Sequence, residues 1–272
     1  MTGYFPTGAT RLFPVVGDPI AQVKSPRILT GILVKRGEDA VVVPMQVTPT
    51  DLTGLLDSLK DVHNVDGILV TVPHKRDAYA LCSTRTDRAD FVEAVNVLSR
   101  TDDGWHGDNT DGIGYLDGIE RKGFSIQGRR ALLVGCGGAG SAIALEILKR
   151  GAAELAIHDI DTARRDGMIA KLRNIFPGRV VAGDTDPACF DLVANATPLG
   201  MKPGDPLPID VSRLRPSQFV ACVITKPEVP PLIAEARQRG CRTMIGTDMF
   251  AAQAETLVNF LLGRWREGGI VE

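Results

Sequence analysis

Leu132-Leu133-Val134-Gly135-Cys136-Gly137-Gly138-Ala139-Gly140-Ser141-Ala142 is the stretch that decides the fold. An aliphatic run enters Gly-x-Gly-x-x-Gly, and Ile143, Leu145, Ile147 and Leu148 continue beyond it with helical character. Strand, glycine turn and helix together form the context in which this triplet binds a dinucleotide. Gly135 allows the tight turn, Gly137 lets backbone approach a pyrophosphate, Gly140 permits close helix-strand packing, and the helix N-terminus offers free N–H groups and a positive dipole end. The next apolar run ends at Asp159, 24 residues after Gly135, near the spacing of about 20 at which an acid bonds the adenosine ribose. An acid there repels the 2'-phosphate of NADP and favours NAD, although Arg164 and Arg165 lie close enough to reach back. Asp159 can also be read as a cap for a helix starting near Thr162.

Working outward, short aliphatic runs recur at Leu12 to Val16, Ala40 to Val47, Gly67 to Val70, Leu155 to His158, Leu192 to Ala194 and Phe219 to Ile224. Helical spacing separates them: Leu52, Leu55, Leu56 and Leu59 after Thr48 as N-cap with Pro49, and Ile28, Leu29, Ile32 and Leu33 after Ser25-Pro26. The alternation predicts an α/β protein of parallel sheets covered by helices. A length of 272 residues suggests two domains at about 150 residues each. The boundary is placed near Gly104 to Gly123, and a last helix is predicted over Met249 to Trp265.

Composition excludes several classes. Lys+Arg 31 against Asp+Glu 33 gives a net charge of -2, without the basic excess that phosphate-backbone binding leaves. The five cysteines are odd in number and scattered, so neither a disulfide framework nor a zinc site is indicated. His63, His74, His106 and His158 form no metal spacing, and no Walker, Gly-x-Ser-x-Gly or His-Glu-x-x-His sequence occurs. No metal is expected. The first ten residues lack an apolar targeting core, and no run approaches the roughly 18 apolar residues of a membrane span. A cytoplasmic protein with no nucleic-acid or membrane partner is therefore expected, as a monomer or homodimer.

Three further polar clusters stand at the ends of apolar runs. Asn195 and Thr197 follow Leu192 to Ala194, where they face a cofactor or make a turn. Lys75 follows Thr71-Val72-Pro73-His74. A lysine there is suited to proton transfer, because its surroundings can bring an ammonium towards neutrality; taken alone it reads as a solvated residue at a helix start. Gly107-Asp108-Asn109-Thr110-Asp111-Gly112 is not a calcium loop, since glycines fall at positions one and twelve where ligands are needed. It is either a turn capping a helix at Thr110 or a substrate-binding loop.

These pieces, with Gly17-Asp18-Pro19-Ile20, Lys24-Ser25-Pro26, Ala94-Val95-Asn96 and Met249-Phe250-Ala251-Ala252-Gln253-Ala254, run in one order along the chain. In that order the whole chain resembles the family of shikimate dehydrogenase and its quinate dehydrogenase relatives. The resemblance implies a substrate-binding domain over 1–111 and 246–272, and a doubly wound Rossmann domain over 112–245. It implies Lys75 as proton-transfer residue with Asp111, and Ser25, Thr71, Asn96, Asp111 and Gln253 as ligands of a small cyclic hydroxy acid. Gly135, Gly137, Gly138, Ala139, Gly140, Asp159, Asn195, Thr197 and Met249 are the expected cofactor residues.

The chain departs from the family pattern at four places. A Ser-x-Ser carboxylate clamp reads Val23-Lys24-Ser25, a binding Asn becomes Leu69, and a Tyr becomes Thr225. The Asn-Arg-Thr of NADP-using members becomes Asp159-Ile160-Asp161. The expectation is an NAD-preferring oxidoreductase acting on a shikimate- or quinate-like polyol acid. The alternatives are an ordinary NADP-dependent shikimate dehydrogenase of aromatic amino-acid biosynthesis and a non-catalytic dinucleotide-sensing protein, against which the retained Lys75 and Asp111 argue.

Overall fold

The chain is described from a computed structural model covering residues 5–266 and 269–270. Its backbone clusters into two compact units, one running to Thr110 and resuming at Ala254, the other Asp111–Gln253. Each is an α/β unit around a six-stranded sheet.

The first unit contains β1 (Arg11–Gly17), α1 (Ser25–Lys35), β2 (Ala40–Gln46), α2 (Leu52–Leu59), β3 (Gly67–Val70), α3 (Lys75–Ala80), β4 (Thr84–Arg85), α4 (Asp87–Val92), β5 (Val97–Thr101) and β6 (Gly104–Asp108). Their order in the sheet is β2-β1-β3-β5-β6-β4. Leu52, Leu56 and Leu59 of α2 bury against Ile68, Val70 and Trp105, so the apolar stripe is what fixes α2 on its sheet. Arg100 secures the exit of that helix, donating to the carbonyls of Leu59 (2.7 Å) and Val65 (2.8 Å) while its guanidinium lies over Trp105. The C-terminal carbonyls of a helix lack intrahelical partners, and here a cation supplies them.

The first sheet departs from the parallel arrangement on one side. β1, β2 and β3 are mutually parallel, but β5 runs antiparallel to both β3 and β6. Thr101 pairs with Gly104 across the two-residue turn Asp102-Asp103, and Gly104 sits at φ 122°, a region open to glycine. A strand returning through so short a connection is antiparallel by necessity. The start of α2 is corrected. Thr48 Oγ1 bonds the Asp51 carboxylate at 2.6 Å, so these side chains close a turn on each other and the helix starts at Leu52, not Pro49.

The second unit contains α5 (Asp111–Arg121), β7 (Arg130–Val134), α6 (Gly138–Lys149), β8 (Glu154–His158), α7 (Thr162–Ile175), β9 (Val180–Ala182), β10 (Leu192–Asn195), β11 (Phe219–Cys222), α8 (Pro231–Gln238) and β12 (Arg242–Met244). Helix α9 (Gly246–Leu261) starts in this unit and ends in the first, followed by β13 (Trp265–Arg266) and β14 (Gly269–Ile270). The helix predicted from Met249 to Trp265 thus starts three residues earlier and ends four earlier. Asp248 accepts from the Ile245 N–H at its start, and Gly263 at φ 69° lies just past its end, where a left-handed residue stops a helix.

All strands of this sheet are parallel, in the order β12-β11-β10-β7-β8-β9. Chain order reverses between β7 and β10, which makes their carboxyl ends the ligand crevice of a doubly wound sheet. Helix α5 meets its neighbours through glycines. A Cβ on Gly112 would lie 2.3 Å from the Ala142 carbonyl of α6, and one on Gly114 would lie 2.6 Å from Gln253 Cβ of α9. Arg150 then bridges Asp117, Glu120 and Glu146 at 2.6, 3.0 and 2.8 Å, tying α5 to the end of α6.

Two glycine-to-alanine changes should therefore move stability in opposite directions. Gly167 lies inside α7 with open space around its Cβ position, so Gly167→Ala should stabilise the protein by about 0.4–1 kcal/mol. Gly112→Ala should destabilise it by about 1–3 kcal/mol or more through backbone overpacking. Denaturant midpoints of the two variants test this, and equal signs would disprove the close-contact account of α5.

Candidate functional site

In the second unit, register brings three strand ends to one edge. Val134 of β7 pairs with His158 of β8 and with Asn195 of β10, so Gly135, Asp159 and Ala196 leave the sheet side by side. Gly135 holds φ 90°, which only a residue without Cβ adopts at little cost. A Cβ on Gly140 would lie 2.0 Å from the Gly135 carbonyl, whereas Gly137 and Gly138 face open space. Gly137 caps α6 without a side-chain hydrogen bond. The first N–H groups of α6 thus look into a space that a Cβ at Gly137 or Gly138 would fill, which suits a bound pyrophosphate.

Asp159 does more than the sequence suggests. It is 7% exposed. One carboxylate oxygen accepts the Cys136 N–H at 2.8 Å and the Cys136 thiol at 3.4 Å, and the other accepts the Asp161 N–H at 2.9 Å. Arg164 stands 3.7 Å away. Burial pushes the Asp159 carboxyl up, but the Cys136 and Asp161 N–H groups and Arg164 outweigh it, and the net shift is downward. Burial and the Asp159 carboxylate push the Cys136 thiol up to about 12, so it stays a protonated donor. The helix cap is Asp161, which accepts from the Arg164 N–H at 3.0 Å; Asp159 is a lock on the glycine loop.

Asn195 and Thr197 are largely occupied with each other. Asn195 Oδ1 accepts from both the N–H and the hydroxyl of Thr197, at 3.1 and 2.7 Å, and its amide donates to Cys222 Sγ at 3.3 Å. This is the turn-making role. The turn nonetheless abuts the glycine loop, since a Cβ on Gly135 would lie 2.8 Å from Thr197 Cγ2. Asp111 opens α5 with 5% exposure and accepts from the Gln253 amide at 3.3 Å, while Met249 is buried on α9.

The first unit gathers its candidates at one edge as well. β1 and β3 end in register, Val16 against Val70, and the antiparallel β5 brings Asn96 alongside, its carbonyl accepting from Val70 at 2.8 Å. Thr71 leaves β3 there and Lys75 starts α3, its carbonyl held by the Val95 N–H at 2.9 Å. Ser25 is the first residue of α1, buried. Asn96 Oδ1 accepts the Thr110 N–H at 3.0 Å, which pins the polar cluster at 107–112 directly before α5 starts at Asp111. Behind it, fully buried Asp108 accepts from Thr86 Oγ1 at 2.6 Å, from Arg88 through both oxygens and from the Asn109 N–H at 2.7 Å.

Arg88 and Asp108 were not identified from the sequence as structural supports. The usable signal was Asp-Asp-Gly at 102–104, which marks the hairpin that places Asp108 on a strand end. Among the described residues no group of three or more His, Cys, Asp or Glu could hold a metal ion, and no helix is long and apolar enough to cross a membrane.

Comparison with known proteins agrees with this geometry. Residues 15–98 match the family model of the shikimate dehydrogenase substrate binding domain. The shikimate dehydrogenase (NADP+) of Geobacter metallireducens is 32% identical over 97% of this chain and 96% of that protein. The shikimate 5-dehydrogenase of Listeria monocytogenes, solved with shikimate and NAD, superposes with a TM-score of 0.88 at 26% identity, covering 96% of this chain and 94% of that one. The quinate dehydrogenase of Corynebacterium glutamicum, solved with NAD, gives 0.84 at 27% identity, covering 93% and 94%.

Replacing Asp159 by Ala should cost about 1–3 kcal/mol, since the Cys136 and Asp161 N–H groups lose their acceptor. Because the folded carboxyl lies below its usual value of about 3.9, the advantage of the parent over Asp159→Ala should be complete above that pH and fade as pH falls through the lower folded value. Paired urea titrations from pH 7 to pH 3 measure it, and a constant difference would remove the ionised carboxylate from the account.

Proposed function

The chain belongs to the shikimate dehydrogenase family, and from that premise we propose that it interconverts a ring hydroxyl and ketone of a shikimate-like cyclic acid. The observation that carries the reading is the gathering of Thr71, Lys75 and Asn96 at one sheet edge of the first unit. A nicotinamide dinucleotide, suited to the cradle at Gly137 and Gly138, supplies hydride acceptance and donation. The protein's part is to hold the acid and move the proton. Lys75 Nζ takes the hydroxyl proton during oxidation and returns it during reduction, and its positive charge stabilises oxyanion character on the ring oxygen. Ser25, Thr71 and Asn96 hold the acid's hydroxyls and carboxylate.

Relatives named for NADP+ favour NADP as the cofactor and the ordinary biosynthetic reading. A second reading, NAD preference, rests on Asp159, an anion at the end of β8 where a 2'-phosphate would approach. Arg164, 3.7 Å from Asp159 and 3.0 Å from Asp161, is the cation through which NADP could be accommodated. Steady-state kinetics with both cofactors decide between them: a higher kcat/KM with NAD replaces the first reading by the second.

In the same assay, Lys75→Ala should lower kcat by roughly 10²- to 10⁴-fold while cofactor affinity, read by fluorescence titration, stays within about twofold. Turnover close to the parent's would take Lys75 out of the mechanism.

Substrate choice turns on Val23 and Leu69. Leu69 is buried in β3 and Val23 is half-buried in the segment between β1 and α1. Neither side chain can hydrogen-bond, and each polar substrate group left without a partner costs about 1–3 kcal/mol. These two side chains carry a second reading of the substrate, an acid other than shikimate, on which shikimate is handled about two to four decades less well than by an enzyme with Ser and Asn at those positions. Val23→Ser with Leu69→Asn should raise kcat/KM for shikimate mainly through a lower KM; no gain from the double change would return the protein to shikimate as an ordinary substrate.

A further inference from the structure

His74 precedes Lys75 and is 0% exposed. Its Nε2 lies 2.7 Å from the carbonyl oxygen of Val47, the residue that follows β2. A carbonyl only accepts, so Nε2 carries the hydrogen and the ring donates it. Nδ1, on the other side of the ring, is buried with no partner. Backbone bonds tie the segment 71–75 to its other neighbours: Thr71 N to Val16 O, Val95 N to Lys75 O, and Asp18 N to Val72 O, at 3.0, 2.9 and 3.0 Å. The tie towards β2 is made by the His74 side chain. Val47 in turn donates its N–H to Gly17 O at 3.2 Å, so the ring bolts the lysine-bearing segment onto the ends of β1 and β2.

We propose that His74 is a positioning residue for Lys75, acting through its Nε2–H bond to Val47. The proposal rests on the proton-transfer role given to Lys75 above. Helix α3 has six residues, too short to set its own direction, so the origin of the Lys75 side chain is fixed by what anchors its first turn. An apolar ring would fill the same buried space without leaving an unpartnered nitrogen. What the imidazole adds is one directed N–H, aimed at a carbonyl that belongs to another strand.

The test compares His74→Phe, which keeps ring volume but has no donor, with His74→Gln, whose amide nitrogen reaches about as far as Nε2. Expected for Phe is a kcat at least about tenfold lower, with KM for the acid and cofactor affinity within about twofold, because misplacement of a reacting group by a fraction of an ångström acts on the chemical step. Gln should recover most of it. A second readout does not need turnover: the rate at which an amine-directed acylating reagent labels Lys75, followed by peptide mass spectrometry, should change at least about threefold in Phe and return in Gln. If Phe does not fold, His74→Met takes its place as the donor-free variant. Parent-like kcat and labelling in Phe, or Gln no better than Phe, overturns the proposal and assigns His74 to packing. A parent enzyme inactive on every cyclic acid fails the functional reading instead, and the labelling comparison still decides this one.

Discussion

Helix α6 can be where it is because two Cβ atoms are missing. Gly140 rests on the carbonyl of Gly135, and Gly112 of α5 rests on the carbonyl of Ala142; side chains at either point would push backbone against backbone. That double contact fixes the start of α6 against β7 on one side and against α5 on the other. With α6 fixed, the N–H of Cys136 faces the end of β8, and Asp159 can take it at 2.8 Å. The cradle, the carboxylate lock and the position of Asp111 at the head of α5 follow from the same close approach. Covering polar backbone this tightly is tolerable where the buried groups find partners, as the Cys136 N–H does in Asp159.

The first unit solves the corresponding problem with charge. Asp108 is fully buried at the end of β6, and a carboxylate in that setting is costly unless it is paired and hydrogen-bonded. Arg88 approaches both oxygens, and Thr86 and the Asn109 N–H take further lone pairs. The group is satisfied from three directions, so the turn out of β6 has one geometry. Asn96 then closes on Thr110 rather than wandering. The polar residues visible as a dense cluster in the sequence are mostly there to hold that turn.

Much of this was legible in the sequence because strand and glycine patterns are local. The runs at 12–16, 40–46, 67–70, 131–134, 155–158 and 192–194 are strands, and Gly135 to Gly140 forms the loop expected of it. What was not legible depended on partners distant in the chain. Val97–Thr101 looks like a buried strand of either direction, and the Asp102-Asp103 turn is what makes it antiparallel. Asp159 carries the spacing of a ribose ligand, but nothing in that spacing says that it already holds Cys136, 23 residues back. Likewise Thr48 has the chemistry of an N-cap, and only the proximity of Asp51 decides that it serves a turn.

The contacts that sequence pattern leaves unread share a cause that bears on function. A side chain at the carboxyl end of a parallel strand has two duties open to it, to satisfy the backbone that turns there or to meet a ligand. Sequence pattern locates the position and leaves the duty open. Asn195 meets the first duty through Thr197 and Cys222, and Asp159 meets it through the Cys136 and Asp161 N–H groups, which with Arg164 hold its carboxyl below the usual value. A carboxylate in use as a lock cannot be exchanged for an arginine without also releasing the loop. Any substitution of Asp159 therefore acts on the stability of the cradle itself, because the Cys136 N–H needs another acceptor once the carboxylate is gone.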